Sequence, residues 1–545
     1  MSIFKEIIEP LEKDLEKFNL DIKIDVLFSN FDKNYDVQIN NLVQIKKIKK
    51  FNSVFRTTEE VLKNLKFIEN FVITEAGFIN LKLSESYLKT LLSNQLNIFY
   101  KVNKKNEGTV LFDFGGANIG KSLHVGHIRT LNIGRSLKNI YDFAGYKTLT
   151  DIHYGDWGMP VSLIIAYIEE NEIEIKTIKS EDLEYIYPKA AELSKTNEDF
   201  YLKTKIISKK LNEQDDYYLK KWLYIYEVST KSIRKILNKL NFNFDIYKGE
   251  SDVATIIPTF IENLKSKNLI KIDQNAFIAT NNQDPPSIIV KSDGSYVYLT
   301  TDLATVIDRE KKYKVDEYIY VVDQRQKNHF EQLFDLVKYF SLSVKKFTHV
   351  GFGTINNLDG KPLKTRDGGN YKLEELYADI NKSLLERNSD IKNTEILSRS
   401  VLTFSDLVTS RLSDYKFDIE KFTNINGKSA VYIQYTQVRA KKLLHDFSGN
   451  SSLKKIKDAE RPLIIQIIKF NYYFDLALKN NEPHHLAEYL YGLCQEFNVF
   501  YKNNKIFTDK NSDSEISHLI YVVESFYNTL IRVFECLGIE PVESM

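Results

Sequence analysis

Thr109-Val110-Leu111-Phe112-Asp113-Phe114 is a short, almost wholly apolar run, and a glycine-rich stretch over residues 115–120 follows it at once. A run without polar alternation predicts a strand covered on both faces, which requires helices on either side of a parallel sheet. Residues 125–144 then show amphipathic helical spacing that Gly145 ends, and residues 147–152 read as the next strand. Strand, glycine loop, helix and strand form a βαβ unit of nucleotide-binding type. The chain is therefore expected to carry an α/β, Rossmann-type domain with its ligands at the carboxyl ends of the strands.

At 545 residues the chain is too long for one core, and roughly two to four domains are expected. Residues 1–100 open with an amphipathic helix and continue with alternating segments, at 21–28 and 71–74 among others, as a small α/β unit. Residues 101–395 form the nucleotide-binding region, interrupted by a charged, helical insertion over about 161–270. Strand patterns return at 287–290, 296–299 and 318–322, and residues 396–545 read as an α-helical bundle. The net charge of +1 argues against a histone-like polycation. Local basic faces such as Lys46, Lys47, Lys49 and Lys50, or Lys209, Lys210, Lys220 and Lys221, could still meet RNA phosphates. Any one of them alone reads first as a solvated surface. Cys494 and Cys536 form no CxxC pair, so neither a disulfide framework nor a structural metal is expected, and a reducing cytoplasm fits. No run reaches the roughly 20 apolar residues of a membrane span.

Four separated stretches carry chemistry. In Asn118-Ile119-Gly120-Lys121-Ser122-Leu123-His124-Val125-Gly126-His127, two imidazoles three residues apart sit where a helix begins. Free N–H groups and the helix dipole attract phosphate there, and Gly126 leaves room for a base or ribose. The pattern lacks the lysine and hydroxyl spacing of a P-loop. In Ser295-Tyr296-Val297-Tyr298-Leu299-Thr300-Thr301-Asp302, a strand is expected to end at a carboxylate able to accept two N–H donors from a guanidinium, with Tyr298 beside it. Taken alone, Asp302 would be an ordinary helix cap. Asp323-Gln324-Arg325-Gln326-Lys327-Asn328-His329-Phe330 follows a further strand. Gly360-Lys361-Pro362-Leu363-Lys364-Thr365-Arg366-Asp367-Gly368-Gly369 combines hinge glycines with cations, as a loop closing on triphosphate needs.

Together these stretches, with Tyr154-Gly155-Asp156-Trp157-Gly158 after the second strand, resemble the arginyl branch of the class I aminoacyl-tRNA synthetases. The resemblance covers nearly the whole chain in order. It implies activation of L-arginine by ATP with Mg²⁺ and transfer to the 3′ end of tRNA(Arg), by a cytoplasmic monomer. It implies that Tyr298, Asp302 and Gln326 bind the arginine side chain, while Asp113 and Asn118 orient its α-amino end. His124, His127, Lys121 and Lys364 would serve catalysis; Gly126, His329, Lys361 and Lys364 would bind ATP. In this branch Lys121 stands in for the lysine missing where Thr365 and Arg366 lie. Gln38 and Asn40 match an N-terminal extension that touches tRNA, and residues 430–440 and 483–490 match an anticodon-binding helical domain. One departure is Gly115-Gly116-Ala117, which replaces the usual hydroxyl- and proline-bearing loop. Synthetases for other amino acids, a silent tRNA-binding relative and a small nucleotidyltransferase are the rival readings.

Overall fold

A computed structural model describes the chain except residues 1–3, 19–23, 25, 29–33, 41–50, 99–107, 282, 362, 364–370 and 389–391, and the side chains of 51–53 and 94–98. Two compact units are present. The first takes in Met1–Asn103, Ile425–Glu535 and Glu540–Met545; the second takes in Lys104–Asn424 and Cys536–Ile539.

The first unit starts with α1 (Lys5–Glu16), β1 (Val26–Phe28), β2 (Val37–Ile39), α2 (Phe51–Asn64), β3 (Ile68–Ile73), β4 (Ile79–Leu83) and α3 (Glu85–Ile98). The strands pair antiparallel in the order β1-β2-β4-β3. Alternation decides the buried face: Ile79, Leu81 and Leu83 of β4 point inward with Val37 and Ile39 of β2.

In the second unit, the apolar run is β5 (Thr109–Asp113), followed by α4 (His127–Phe143) and β6 (Lys147–Tyr154). A helical layer comes next: α5 (Met159–Glu170), α6 (Ser180–Thr196), α7 (Glu198–Asn212) and α8 (Asp216–Lys239). It packs around Ile164, Leu183, Phe200, Ile207 and Ile225. The chain then returns through β7 (Ile246–Gly249) and α9 (Ile257–Ser266) to a small antiparallel sheet of β8 (Ile270–Asp273), β9 (Ala276–Ala279) and β10 (Ile288–Val290). The second half of the nucleotide-binding fold is α10 (Tyr298–Lys312), β11 (Glu317–Asp323), α11 (Lys327–Tyr339) and β12 (Lys346–Phe352). β13 (Ile355–Asn356), α12 (Leu373–Arg387), α13 (Thr394–Leu407), β14 (Tyr415–Lys416) and the short α14 (Ile419–Phe422) complete the unit.

The central sheet is parallel, in the order β12-β11-β5-β6-β7. Val110, Leu111 and Phe112 of β5 are buried at its centre. Burial of such side chains stabilises by roughly 1.5–3 kcal/mol each. In the first unit the helical segment is α15 (Ala430–His445), α16 (Arg461–Ile468), α17 (Phe470–Asn480), α18 (His484–Asn503) and α19 (Asp513–Leu537). A buried ion pair joins α16 to the antiparallel sheet: Arg461 donates to Asp36 through Nε at 3.1 Å and to the Leu83 carbonyl at 2.7 Å.

The structure differs from the sequence expectation in two places. Residues 296–299 form no strand; α10 begins at Tyr298, with Val297 as its N-cap. The aromatic and β-branched residues there suit a strand, but the spacing of Leu299, Leu303 and Val306, all buried, is helical and prevails. Residues 161–270 are not wholly an insertion either, because β7 pairs with β6 as an edge strand of the central sheet. Cys494 and Cys536 are buried free thiols.

Candidate active site

The carboxyl ends of β5 and β11 open into a cavity of about 420 Å³. Gly116, Asn118, His124, Gly126, His127 and Gln326 are among its lining residues. The floor is the glycine loop after β5. Gly115 and Gly116 take φ of +100° and +45°, values that a side chain rarely permits. That conformation suits glycine at both positions. The Gly115 amide donates to Thr130 of α4 at 3.0 Å, and the Thr130 hydroxyl donates to the Val321 carbonyl of β11 at 2.6 Å. One threonine thus ties loop, helix and neighbouring strand together. A larger cavity, about 690 Å³, lies in the first unit around Asp36 and Arg461, away from these strand ends.

The His124 and His127 rings pack against each other, tilted by 48° with centroids 4.0 Å apart. The Gly126 amide donates to His124 Nδ1 at 3.1 Å, which assigns the proton of the neutral ring to Nε2. His127 Nδ1 contacts the backbone of His124, at 3.1 Å from N and 3.2 Å from O. Burial pushes both imidazoles down, His127 to about 3, with the neighbouring ring and Lys121 adding to the effect. Both rings are therefore neutral near pH 7 and offer N–H donors rather than positive charge. Gly126 serves the pair more directly than by admitting a base. A Cβ there would lie 2.9 Å from His124 Cε1, so the glycine lets the His124 ring fold back onto the helix start.

Beside this cavity lies a cluster of buried acids. Asp302 Oδ2 is 2.6 Å from His329 Nε2. Tyr298 stacks on the same imidazole, with centroids 5.0 Å apart. Burial raises Asp302, and the Asp302 carboxylate in turn holds the Tyr298 phenol well above its ordinary value. Asp113, at the end of β5, is held by an arginine of the protein itself. Arg309 of α10 donates to it at 2.5 Å and to Asp151 of β6 at 2.6 Å, while also reaching the Tyr320 hydroxyl at 3.2 Å.

Sequence reasoning missed Glu250, which follows β7. Burial raises its carboxyl to about 8, with Asp302 and Asp156 adding negative charge nearby. Asp156 holds the turn that carries it, accepting from the Ser251 amide at 2.9 Å and hydroxyl at 2.6 Å. Asp302 and Glu250 are two partly sequestered acids, and the charge of Asp302 helps to raise Glu250. Among the described groups near Glu250, none with a positive charge lowers its pKa. Such a pair accommodates a cationic ligand.

The other expected residues fall as follows. Asn118 bridges to Gly155 across the loop ends of β5 and β6. Gln326, exposed, reaches the histidine-lined cavity, whereas His329, expected at ATP, is bonded to Asp302 instead. The two residues between them, Lys327 and Asn328, open the first turn of α11. Lys121 is exposed and sits over the Tyr187 ring of α6, 4.2 Å from its centroid. Lys361 is exposed on the turn after β13, and Lys364 lies outside the described residues. In the first unit, Gln38 of β2 donates to Asn80 at 2.8 Å, and Asn40 is partly buried just after that strand. The candidate basic face at Lys46–Lys50 lies outside the described residues.

Comparison with known proteins follows the same outline. Residues 87–419 match the family model "tRNA synthetases class I (R), catalytic domain", and residues 433–545 match the DALR anticodon binding domain. A curated arginine–tRNA ligase of Alkaliphilus oremlandii is 33% identical over 524 residues, covering 89% of each chain. The crystal structure of arginyl-tRNA synthetase from Plasmodium falciparum superposes with a TM-score of 0.82 at 28% identity, over 100% of this chain and 99% of that one. The Thermus thermophilus arginyl-tRNA synthetase shares the fold, with a TM-score of 0.78 at 18% identity over the full length of both. Neutral paired histidines at a helix start, buried acids at the strand ends, and sequence likeness along nearly nine-tenths of the chain agree: this chain belongs to the arginyl-tRNA synthetases of class I.

Proposed function

We propose that this chain works as an arginine–tRNA ligase, making arginyl-adenylate from L-arginine and ATP and passing the arginyl group to the 3′-terminal adenosine of tRNA(Arg), with release of AMP and pyrophosphate. The observation that carries this reading is the half-buried acid pair Asp302 and Glu250, together with a cavity that two neutral imidazoles line. A guanidinium between the two acids would give Glu250 a cationic partner and Asp302 a further one beside His329, with Tyr298 and Gln326 completing its surroundings. Asn118 orients the α-amino end. Asp113 contributes charge while Arg309 fixes its position.

The arginine carboxylate then attacks the α-phosphorus of ATP, and the bond to pyrophosphate breaks. No protein nucleophile takes part; positioning and electrostatic stabilisation do the catalysis. His124 and His127 donate N–H groups to the phosphates, and Lys121, Lys361 and Lys364 contribute positive charge. Asp323 is the carboxylate among the cavity's lining residues, and Arg325 holds it at 2.6 Å. Mg²⁺ accordingly enters as the counter-ion of the ATP phosphates, whose oxygens suit a hard cation.

The N-terminal segment, with Gln38 and Asn40, meets the body of the tRNA, and the helical segment over 433–545 meets its anticodon. The enzyme acts as a cytoplasmic monomer. No helix among the described residues is long and apolar enough to cross a membrane. The deciding experiment is ATP–pyrophosphate exchange with tRNA present, run with every amino acid in turn. Exchange with arginine alone is expected; exchange with another amino acid instead, or with none while tRNA still binds, would overturn the reading.

A further inference from the structure

The absence of a CxxC pair speaks only to thiolate metal sites; imidazoles and carboxylates can also hold a metal. Glu482, His484 and His485 place three donor atoms within 4.8 Å of one another, and this is the one such group of three among the described residues. Backbone geometry builds it. Asn481 takes the left-handed conformation at φ 54° and ends α17. The chain turns sharply, the Glu482 amide donating to the Ala477 carbonyl at 3.0 Å and the His485 amide to the Glu482 carbonyl at 3.3 Å. α18 starts at His484, so Glu482 comes back alongside its first turn.

His485 Nε2 lies 3.1 Å from Glu482 Oε2, and the His484 and His485 rings are 4.1 Å apart at their centroids. Two ligands about 2.0 Å from zinc at tetrahedral angles stand about 3.3 Å apart. The Glu482–His485 spacing already matches this, the His484 donor lies within 4.8 Å of both, and the two side chains of the closest pair are mostly covered, at 18% and 25% exposure. Glu488, one turn further along, is engaged by Lys428 and does not add a fourth ligand.

We infer that Glu482, His484 and His485 form a binding site for a divalent transition metal of the zinc class, pinning the α17–α18 turn and leaving one coordination position to water. Two nitrogen donors with one carboxylate favour Zn²⁺, Co²⁺ or Ni²⁺ over Mg²⁺ or Ca²⁺.

The test titrates the full, metal-stripped chain with Zn²⁺ against a chromophoric chelator, and with Co²⁺ followed by its visible absorption. One equivalent binding in the micromolar range is expected. Glu482→Gln and His485→Ala should each weaken it by at least about tenfold, with the helical circular dichroism of the apo chain retained. A His124→Ala, His127→Ala double variant should keep the equivalent. The proposal fails if the wild-type chain binds Zn²⁺ no more tightly than millimolar, if Glu482→Gln and His485→Ala both keep wild-type affinity, or if the equivalent disappears with the catalytic histidines instead.

Discussion

Binding of arginine should expel a proton, and Glu250 should be its main source. The carboxyl is raised from its ordinary 4.5 to about 8, chiefly by burial and then by Asp302 and Asp156. That displacement corresponds to roughly 4–5 kcal/mol of disfavour for the charged form, at about 1.4 kcal/mol per decade. In the free enzyme at pH 7 the group is therefore mostly protonated. A guanidinium placed against it stabilises the carboxylate and pulls its pKa down, so the proton leaves. Calorimetry at pH 7 in two buffers of different ionisation enthalpy should give most of one proton released per arginine. Apparent affinity should rise with pH and level off above about 8. The stability consequence has the opposite sense. The folded chain holds this proton more tightly than the unfolded one, so the stability linked to Glu250 is fully present below about 4.5 and is lost as the pH climbs through about 8. Glu250→Gln keeps the shape and removes the titration. It should cut the proton release by more than half and weaken arginine by about 10–100-fold, the value of one charge-assisted hydrogen bond. A wild-type enzyme that releases no proton at pH 7, or a glutamine variant with unchanged arginine affinity, would refute the placement of the cation at Glu250.

Three further outcomes follow from the same cluster and its surroundings. Asp302→Asn should lower arginine kcat/KM by about 10–100-fold while leaving binding of a non-hydrolysable ATP analogue near wild type; normal arginylation would remove Asp302 from the site. Lys121→Ala should slow adenylate formation by about 10²-fold in rapid-quench experiments, the scale of one transition-state charge contact. Tyr187→Leu, which removes only the ring beneath that lysine, should cost less than about tenfold; an unchanged rate in Lys121→Ala would end its catalytic assignment. Arg309→Met should destabilise the fold by about 3–5 kcal/mol in urea denaturation, because Asp113 and Asp151 would lose their shared cation; a loss under 1 kcal/mol would show that the two acids do not depend on Arg309.

Much of this architecture was legible in local pattern. The apolar run of β5, the glycine loop and the paired histidines are contiguous in sequence, and their physics acts over a few residues. The acid cluster is not of that kind. Arg309 meets partners 158 and 196 positions away, and nothing in the lysine-rich helix around it distinguishes it from a surface arginine. Glu250 was hidden for a related reason. A single acid after a glycine has no periodicity, and it becomes a site residue only because β7 lies parallel to β6, pairing Asp151 with Ile246. The signal that could have found it is the apolar alternation of residues 244–247 ending in Gly249-Glu250, inside a region otherwise read as helical. Tyr298 shows the reverse failure. Its neighbours favour a strand locally, yet the packing of Leu299, Leu303 and Val306 winds them into α10. That helix brings Tyr298 and Asp302, four residues apart, onto one face.

The arrangement of charge explains why a guanidinium, more than positive charge alone, suits this place. Asp113 and Asp151 already share the guanidinium of Arg309, and Asp302 has an imidazole partner in His329. These internal pairs fix the inner acids, while burial keeps Glu250 and Asp156 in part protonated, with pKa values near 8 and 6. An incoming cation thus meets one acid on α10 and another after β7, reached from two directions. A lysine ammonium concentrates its donors on one atom and would satisfy one carboxylate well. A guanidinium spreads five donors over a plane and can serve both at once while lying flat beside Tyr298. Under the proposed function, selection for arginine would rest on the placement of Asp302 on α10 and Glu250 after β7, where Asp156 holds the Glu250 turn by accepting from Ser251.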